Sequence, residues 1–115
     1  MYKVVIGLEV HCELDTKSKN FSQAPNYFST IPNENVATVD LGLPGILPVP
    51  NKEAVEKALR TAMALHCKNP NDVIFDRKNY FYPDLPKGYQ ITQSHKPIGT
   101  NGYLAIDTED GEKKV

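Results

Sequence analysis

Two groups of residues in this sequence have the types and spacing to do chemistry. The first is Glu9 and His11. On an extended chain, residues two apart share a face and lie about 7 Å apart at Cα. A carboxylate and an imidazole at that spacing can converge on one metal ion. Glu13 follows on the same face, too far along to share the ion. The alternative is a solvated strand face with ordinary polar residues, and two ligands are fewer than a complete site needs. The second group is Asp76-Arg-Lys-Asn-Tyr-Phe-Tyr-Pro-Asp-Leu-Pro-Lys-Gly-Tyr-Gln90. Four aromatics interleave there with Arg77, Lys78, Asp84, Lys87 and Gln90, and two prolines stiffen the loop. Cations beside aromatic rings suit phosphate contact and stacking. A structured aromatic turn packed on a sheet explains the same composition equally well. The segment carries a net charge of only +1, which suits a small anion better than a duplex.

Other residues offer less. Gly42-Leu-Pro-Gly45 lacks the spacing, Lys and Ser/Thr of a phosphate-cradling loop. Cys12 and Cys67 have no CxxC partner and read as small apolar residues. His66 falls on the core stripe of a helix, His95 sits alone in a turn, and no nucleophile–base arrangement is arguable from spacing.

Elements must hold these groups in place. Val4, Ile6, Leu8, Val10, Cys12 and Leu14 alternate with more polar positions, predicting a strand over 3–14 in an antiparallel sheet. Residues 15–35 read as a long polar loop, with short strands at Asn26–Ser29 and Val36–Leu41. The apolar run Leu41-Gly-Leu-Pro-Gly-Ile-Leu-Pro-Val-Pro50 excludes a helix or central strand and predicts a loop packed against something. Asn51 is a good N-cap. Val55, Ala58, Leu59, Ala62, Met63 and His66 make one stripe, with Glu53–Lys57 and Glu56–Arg60 as supporting pairs, so a helix is predicted over 52–67. Strands follow at Val73–Phe75, Asn79–Tyr82, Tyr89–Thr92 and Tyr103–Asp107, with hairpin signals at Asn101-Gly102 and Asp110-Gly111.

Composition limits the possibilities. The chain has 115 residues, a net charge of −1, nine prolines and seven glycines. That is one domain's length, able to bury roughly two-thirds of its unfolded surface. It is not a helical bundle, and near-neutrality argues against a nucleic-acid-coating arm. No apolar run approaches the roughly 18 residues of a membrane span, and two cysteines are too few for a disulfide framework.

Together the runs Ile6-Gly-Leu-Glu-Val-His11, Thr16-Lys-Ser-Lys19, Leu41-Gly-Leu-Pro-Gly45 and Phe75–Ile91 resemble the start of the B subunit of aspartyl/glutamyl-tRNA(Asn/Gln) amidotransferase. The resemblance covers essentially the whole chain, in order and with the family's spacing. It implies an α+β fold: an antiparallel sheet with one main helix, residues 1–115 forming the amino-terminal part of a larger cradle-type catalytic domain. It implies a ligase subunit that uses ATP to phosphorylate the side-chain carboxylate of Glu-tRNA(Gln) or Asp-tRNA(Asn). Ammonia from a partner amidase subunit then displaces the phosphate. A small third subunit completes a cytoplasmic heterotrimer, and misacylated tRNA is gripped by domains outside this chain. By resemblance Glu9 and His11 are the metal ligands, for Mg²⁺ with Mn²⁺ as second candidate. Lys78, Tyr80, Tyr82 and Lys87 fall in the catalytic block, and Arg77, Asp84 and Gln90 are assigned to the nucleotide.

Two departures from the family follow. Many members hold a structural zinc with four cysteines, at positions occupied here by Ser22, Ala24, Ala37 and Asp40. No zinc is expected, and loop 20–40 must be held by packing and hydrogen bonds. The acidic residues that complete the family's metal site lie beyond Val115, so residues 1–115 alone are expected to be inactive and to bind metal weakly. A non-catalytic interaction domain, docking a partner through its sheet and loop 41–50, is the competing reading.

Overall fold

The computed structural model describes residues 2–115. It is α+β, with one helix and two small antiparallel sheets among the described residues. The helix, α1, spans Lys52–Ala64. Asn51 caps it: its side-chain Oδ1 accepts from the Glu53 N–H at 3.0 Å and the Ala54 N–H at 3.4 Å. The expected Glu53–Lys57 pair forms at 3.0 Å, and Glu56 pairs backwards with Lys52 at 3.7 Å instead of with Arg60. Ala54 and Ala62 are buried, with Val55, Ala58 and Leu59 half-buried on the same side. Met63 and His66, placed on that stripe by periodicity, are exposed. The helix stops before His66, whose φ of 55° is left-handed, and its ring stacks on Tyr103 at 4.3 Å.

β1 (Asp76–Asn79) and β2 (Tyr89–Thr92) form one hairpin, and β3 (Ala105–Thr108) and β4 (Gly111–Lys114) form the other. In the first, Lys78 lies opposite Gln90 and Arg77 opposite Ile91. The second turns at Glu109-Asp110, one residue before the expected Asp110-Gly111, because Gly111 already pairs with Thr108 as the first residue of β4; its ladder is extended by reciprocal bonds between Leu104 and Val115. Asn101-Gly102 makes no hairpin. It carries the chain tightly past the end of α1: a Cβ on Gly102 would lie 2.5 Å from the Cys67 Sγ, and one on Gly99 2.9 Å from the Cys67 Cβ. Bonds between Lys68 and Thr100, and from the Tyr103 N–H to the Leu65 carbonyl, hold this crossing.

The largest correction concerns residues 3–14. They belong to no strand, because no described segment offers them ladder partners. Val4, Ile6, Leu8 and Val10 are exposed, and Cys12 with them. The segments 26–29, 36–41 and 73–75 also form no strands. Residues 37–43 instead make consecutive turns, and the strand expected at 79–82 lies at 76–79.

The core is correspondingly small. Ala24, Ala54 and Ala62 are the buried apolar residues among those described, joined by an edge-to-face contact of Phe21 and Phe75 at 5.1 Å. The accessible surface is 9899 Å², against roughly 6,300 Å² for a self-contained globule of this mass. The radius of gyration is 17.9 Å, against about 13 Å. The chain therefore buries only about half of its unfolded surface, not the two-thirds its length allows.

Candidate functional site

Local geometry builds one mixed-charge cleft. The β1–β2 register sets Lys78 and Gln90 side by side on one face of the hairpin, and alternation sends Arg77 to the other. The loop joining the strands is a series of tight turns, with Leu85 N–H bonding to the Tyr82 carbonyl and Gly88 N–H to the Leu85 carbonyl. Lys87 is seated there by the apolar loop 41–50. Gly42 has a φ of +68°, and a Cβ on it would come within 2.8 Å of the Lys87 Cα. Glycine is thus required both for the turn and for the close approach. The expectation that loop 41–50 packs against something is met at this end, although Leu41, Leu43 and Leu47 remain exposed.

The opposite wall comes from residues 16–24 and 37–40. The Thr16 hydroxyl, buried, donates to the Ser18 carbonyl, and the Lys19 N–H donates to the Ala24 carbonyl. Asp40 is the hub. Its Oδ2 accepts from the Ser22 hydroxyl at 2.7 Å and the Ala37 N–H at 2.9 Å, and the Lys19 ammonium lies 3.6 Å away. The Ser22 hydroxyl oxygen in turn accepts from the Ala24 N–H at 3.1 Å. Burial alone would raise the Asp40 carboxyl. The Ala37 and Ser22 hydrogen bonds and the Lys19 charge outweigh it and hold the group below its ordinary value. Positions 22, 24, 37 and 40 are therefore joined by hydrogen bonds around one carboxylate, as the sequence required of loop 20–40.

Between these walls is a cleft of about 680 Å³, lined by Glu9, His11, Lys19, Asp40, Lys78, Lys87 and Gln90 among others. The Glu9 Oε1 and His11 Nε2 lie 3.5 Å apart, with both side chains more than four-fifths exposed. No third His, Cys, Asp or Glu among the described residues joins them in a metal-sized group. Arg77, Tyr80, Tyr82 and Asp84 lie outside the cleft lining. Arg77 sits 4.7 Å above the Tyr89 ring, with Lys87 5.8 Å from the same ring. Tyr80 and Tyr82 stack on each other at 5.7 Å. Tyr82 borders a separate apolar hollow with Phe81, Pro83, Leu85 and Pro86. Sequence reasoning did not assign Lys19 or Asp40 to the site. The Thr16-Lys-Ser-Lys19 run was the available signal for the first.

These features define an α+β chain that presents a carboxylate–imidazole pair and three lysines to one cleft. The chain belongs to the GatB/GatE catalytic domain family, whose model matches residues 4–115. It is 57% identical over 114 residues to a protein of Halalkalibacterium halodurans named as the B subunit of aspartyl/glutamyl-tRNA(Asn/Gln) amidotransferase. Proteins of the same name from Bacillus velezensis and Shouchella clausii are 56% and 54% identical. Each comparison covers 99% of this chain and 24% of the relative, so the chain spans about a quarter of their length. No described helix is long and apolar enough to cross a membrane.

Proposed function

We propose that this chain forms part of the transamidation site of an ATP-dependent tRNA amidotransferase subunit, acting on Glu-tRNA(Gln) or Asp-tRNA(Asn). The observation that carries the reading is the meeting, in one cleft, of Glu9 and His11 with Lys78, Lys87 and Gln90, which are over sixty residues away in sequence. The proposed reaction transfers the terminal phosphoryl group of ATP to the side-chain carboxylate, giving an acyl phosphate and ADP. Ammonia then attacks the acyl carbon, and phosphate leaves as the amide forms. Both steps carry concentrated negative charge, which Lys78 and Lys87 stand ready to offset. Gln90 can orient a polar group by hydrogen bonding. The donor chemistry of Glu9 and His11 fits a divalent cation, Mg²⁺ or Mn²⁺, and supplies two of its positions. Such an ion, when bound, would neutralise phosphoryl charge. Tyr80, Tyr82, Arg77 and Asp84 belong in this reading to the rim that meets the nucleotide or the acceptor end of the tRNA. A partner amidase subunit supplies the ammonia, a small third subunit completes the assembly, and the compartment is the cytoplasm. The Ser22–Asp40 clasp does here the work of a structural zinc, so metal analysis should find no stoichiometric zinc.

In the assembled enzyme, Glu9→Ala or His11→Ala should abolish ATP- and tRNA-dependent amide formation while leaving glutamine hydrolysis by the partner in place. Full transamidation rates in both variants would overturn the assignment. Residues 1–115 alone, with two donors, should bind Mn²⁺ weakly and show no turnover. The exposed apolar segment 2–10 favours a second role, docking, which is compatible with the first.

A further inference from the structure

We propose that Lys19 is a further substrate-binding residue: an anchored ammonium that contacts the phosphoryl oxygens of the ligand from the wall opposite Lys78 and Lys87. The inference rests on the reading of this cleft as a phosphoryl-transfer site. Three observations carry it. Lys19 lines the cleft, although it lies in the polar loop and not in the aromatic block. Its ammonium is held at two points, donating to the Asn35 carbonyl at 2.6 Å and lying 3.6 Å from the Asp40 carboxylate. An ammonium has three donors and only the Asn35 carbonyl takes a hydrogen bond, so donors remain for the cleft, and the side chain is 37% exposed.

The third observation is that Asp40 does not need Lys19 to be satisfied. Ser22 and Ala37 already donate to the same carboxylate oxygen at 2.7 and 2.9 Å, closer than the ammonium. Lys19 is therefore the loosest partner in the clasp, and an incoming anion competes with Asp40 for it. A lysine fixed by a carbonyl and restrained by a replaceable carboxylate loses less side-chain freedom on binding than a fully mobile one. The Asp40 charge then sets how strongly Lys19 attracts the anion.

The test is equilibrium dialysis of the protein with inorganic pyrophosphate, which needs neither tRNA nor the partner amidase. Lys19→Met should weaken binding by roughly tenfold, the loss of one charge-assisted contact, whereas Lys19→Arg should retain most of it. Lys17→Met, outside the cleft, should leave it unchanged. Asp40→Asn keeps an acceptor for Ser22 and Ala37 but removes the competing charge, and should strengthen binding roughly three- to fivefold. That gain should vanish when Lys19→Met is combined with it, because the gain acts through Lys19. A purely structural clasp predicts weakening in Asp40→Asn, so that result overturns the proposal. An Asp40→Asn gain that survives in the double variant, equal affinity in Lys19→Met and Lys17→Met, or no pyrophosphate binding by the unaltered protein would do the same. Transamidation could persist in each of these cases, so this inference and the wider functional reading fail separately.

Discussion

Asn51 uses nearly every polar group it has. Its Oδ1 caps α1, its carbonyl accepts the Val55 N–H, and its own N–H donates to the Asn20 carbonyl at 2.7 Å. Its side-chain amide donates to the Ser18 carbonyl and hydroxyl at 3.1 and 3.0 Å. The cap was legible in the sequence, because capping needs only the right residue before an apolar periodicity. The tie to Ser18 was not, because it spans 33 residues and leaves no local pattern. Asn51→Ala should cost about 2 kcal/mol, the cap plus the lost tie, measured by chemical denaturation followed through helical circular dichroism. Asn51→Asp should fall between the two, keeping the cap acceptor but losing the amide donors. A cost equal to that of an isolated cap would mean the Ser18 tie contributes nothing.

Among the elements, the β1–β2 hairpin decides what the cleft contains. Its register sends Lys78 and Gln90 to one face and Arg77 to the other. The sequence placed β2 correctly but set its partner three residues late, since Tyr80, Phe81 and Tyr82 have strand-forming side chains. Tyr80 keeps one cross-strand bond, its N–H to the Gly88 carbonyl at 2.9 Å, and the turns between Tyr82 and Gly88 then take Phe81 and Tyr82 out of the ladder. The site was thus half legible: residue types named Lys78, Lys87 and Gln90, while the facing wall depended on long-range contacts. Gly42 joins the two halves. Gly42→Ala should destabilise by more than about 1 kcal/mol, from the left-handed φ and the 2.8 Å approach to the Lys87 backbone. It should also lower transamidation in the assembled enzyme, because Lys87 must shift. Unchanged melting and unchanged rate would show that loop 41–50 does not seat Lys87.

Over the whole molecule, segments far apart are joined more by carboxylates than by apolar burial. Asp40 links loop 16–24 to residues 35–40. Asp72 pairs with Lys96 at 2.7 Å, and Asp76 holds the His95 N–H at 3.2 Å and its ring at 3.1 Å. Lys96 lowers the Asp72 carboxyl through a hydrogen bond and its charge, and the hydrogen bond from the His95 N–H lowers Asp76 most. Each of the three carboxyls is more acidic folded than unfolded. Their stabilisation is therefore complete above the ordinary value of 3.8 and is lost as pH falls through that value towards the folded ones. Denaturation midpoints should be flat near neutrality and fall below about pH 4, with Asp40→Asn shallower in slope. An acid limb as steep in Asp40→Asn as in the parent would remove Asp40 from the account. The open shape was the least legible property. Periodicity in 3–14 describes which side chains would be buried, but a strand forms only where another supplies the ladder.

The close passage of Gly99 and Gly102 over Cys67 has a practical consequence. The thiol is half-buried against Gly99 and Gly102, so a bulky alkylating reagent should react with it more slowly than with an open cysteine. Cys12 is exposed and serves as an internal reference. The ratio of the two labelling rates would report how well residues 99–103 shield the thiol, with no probe added to the protein.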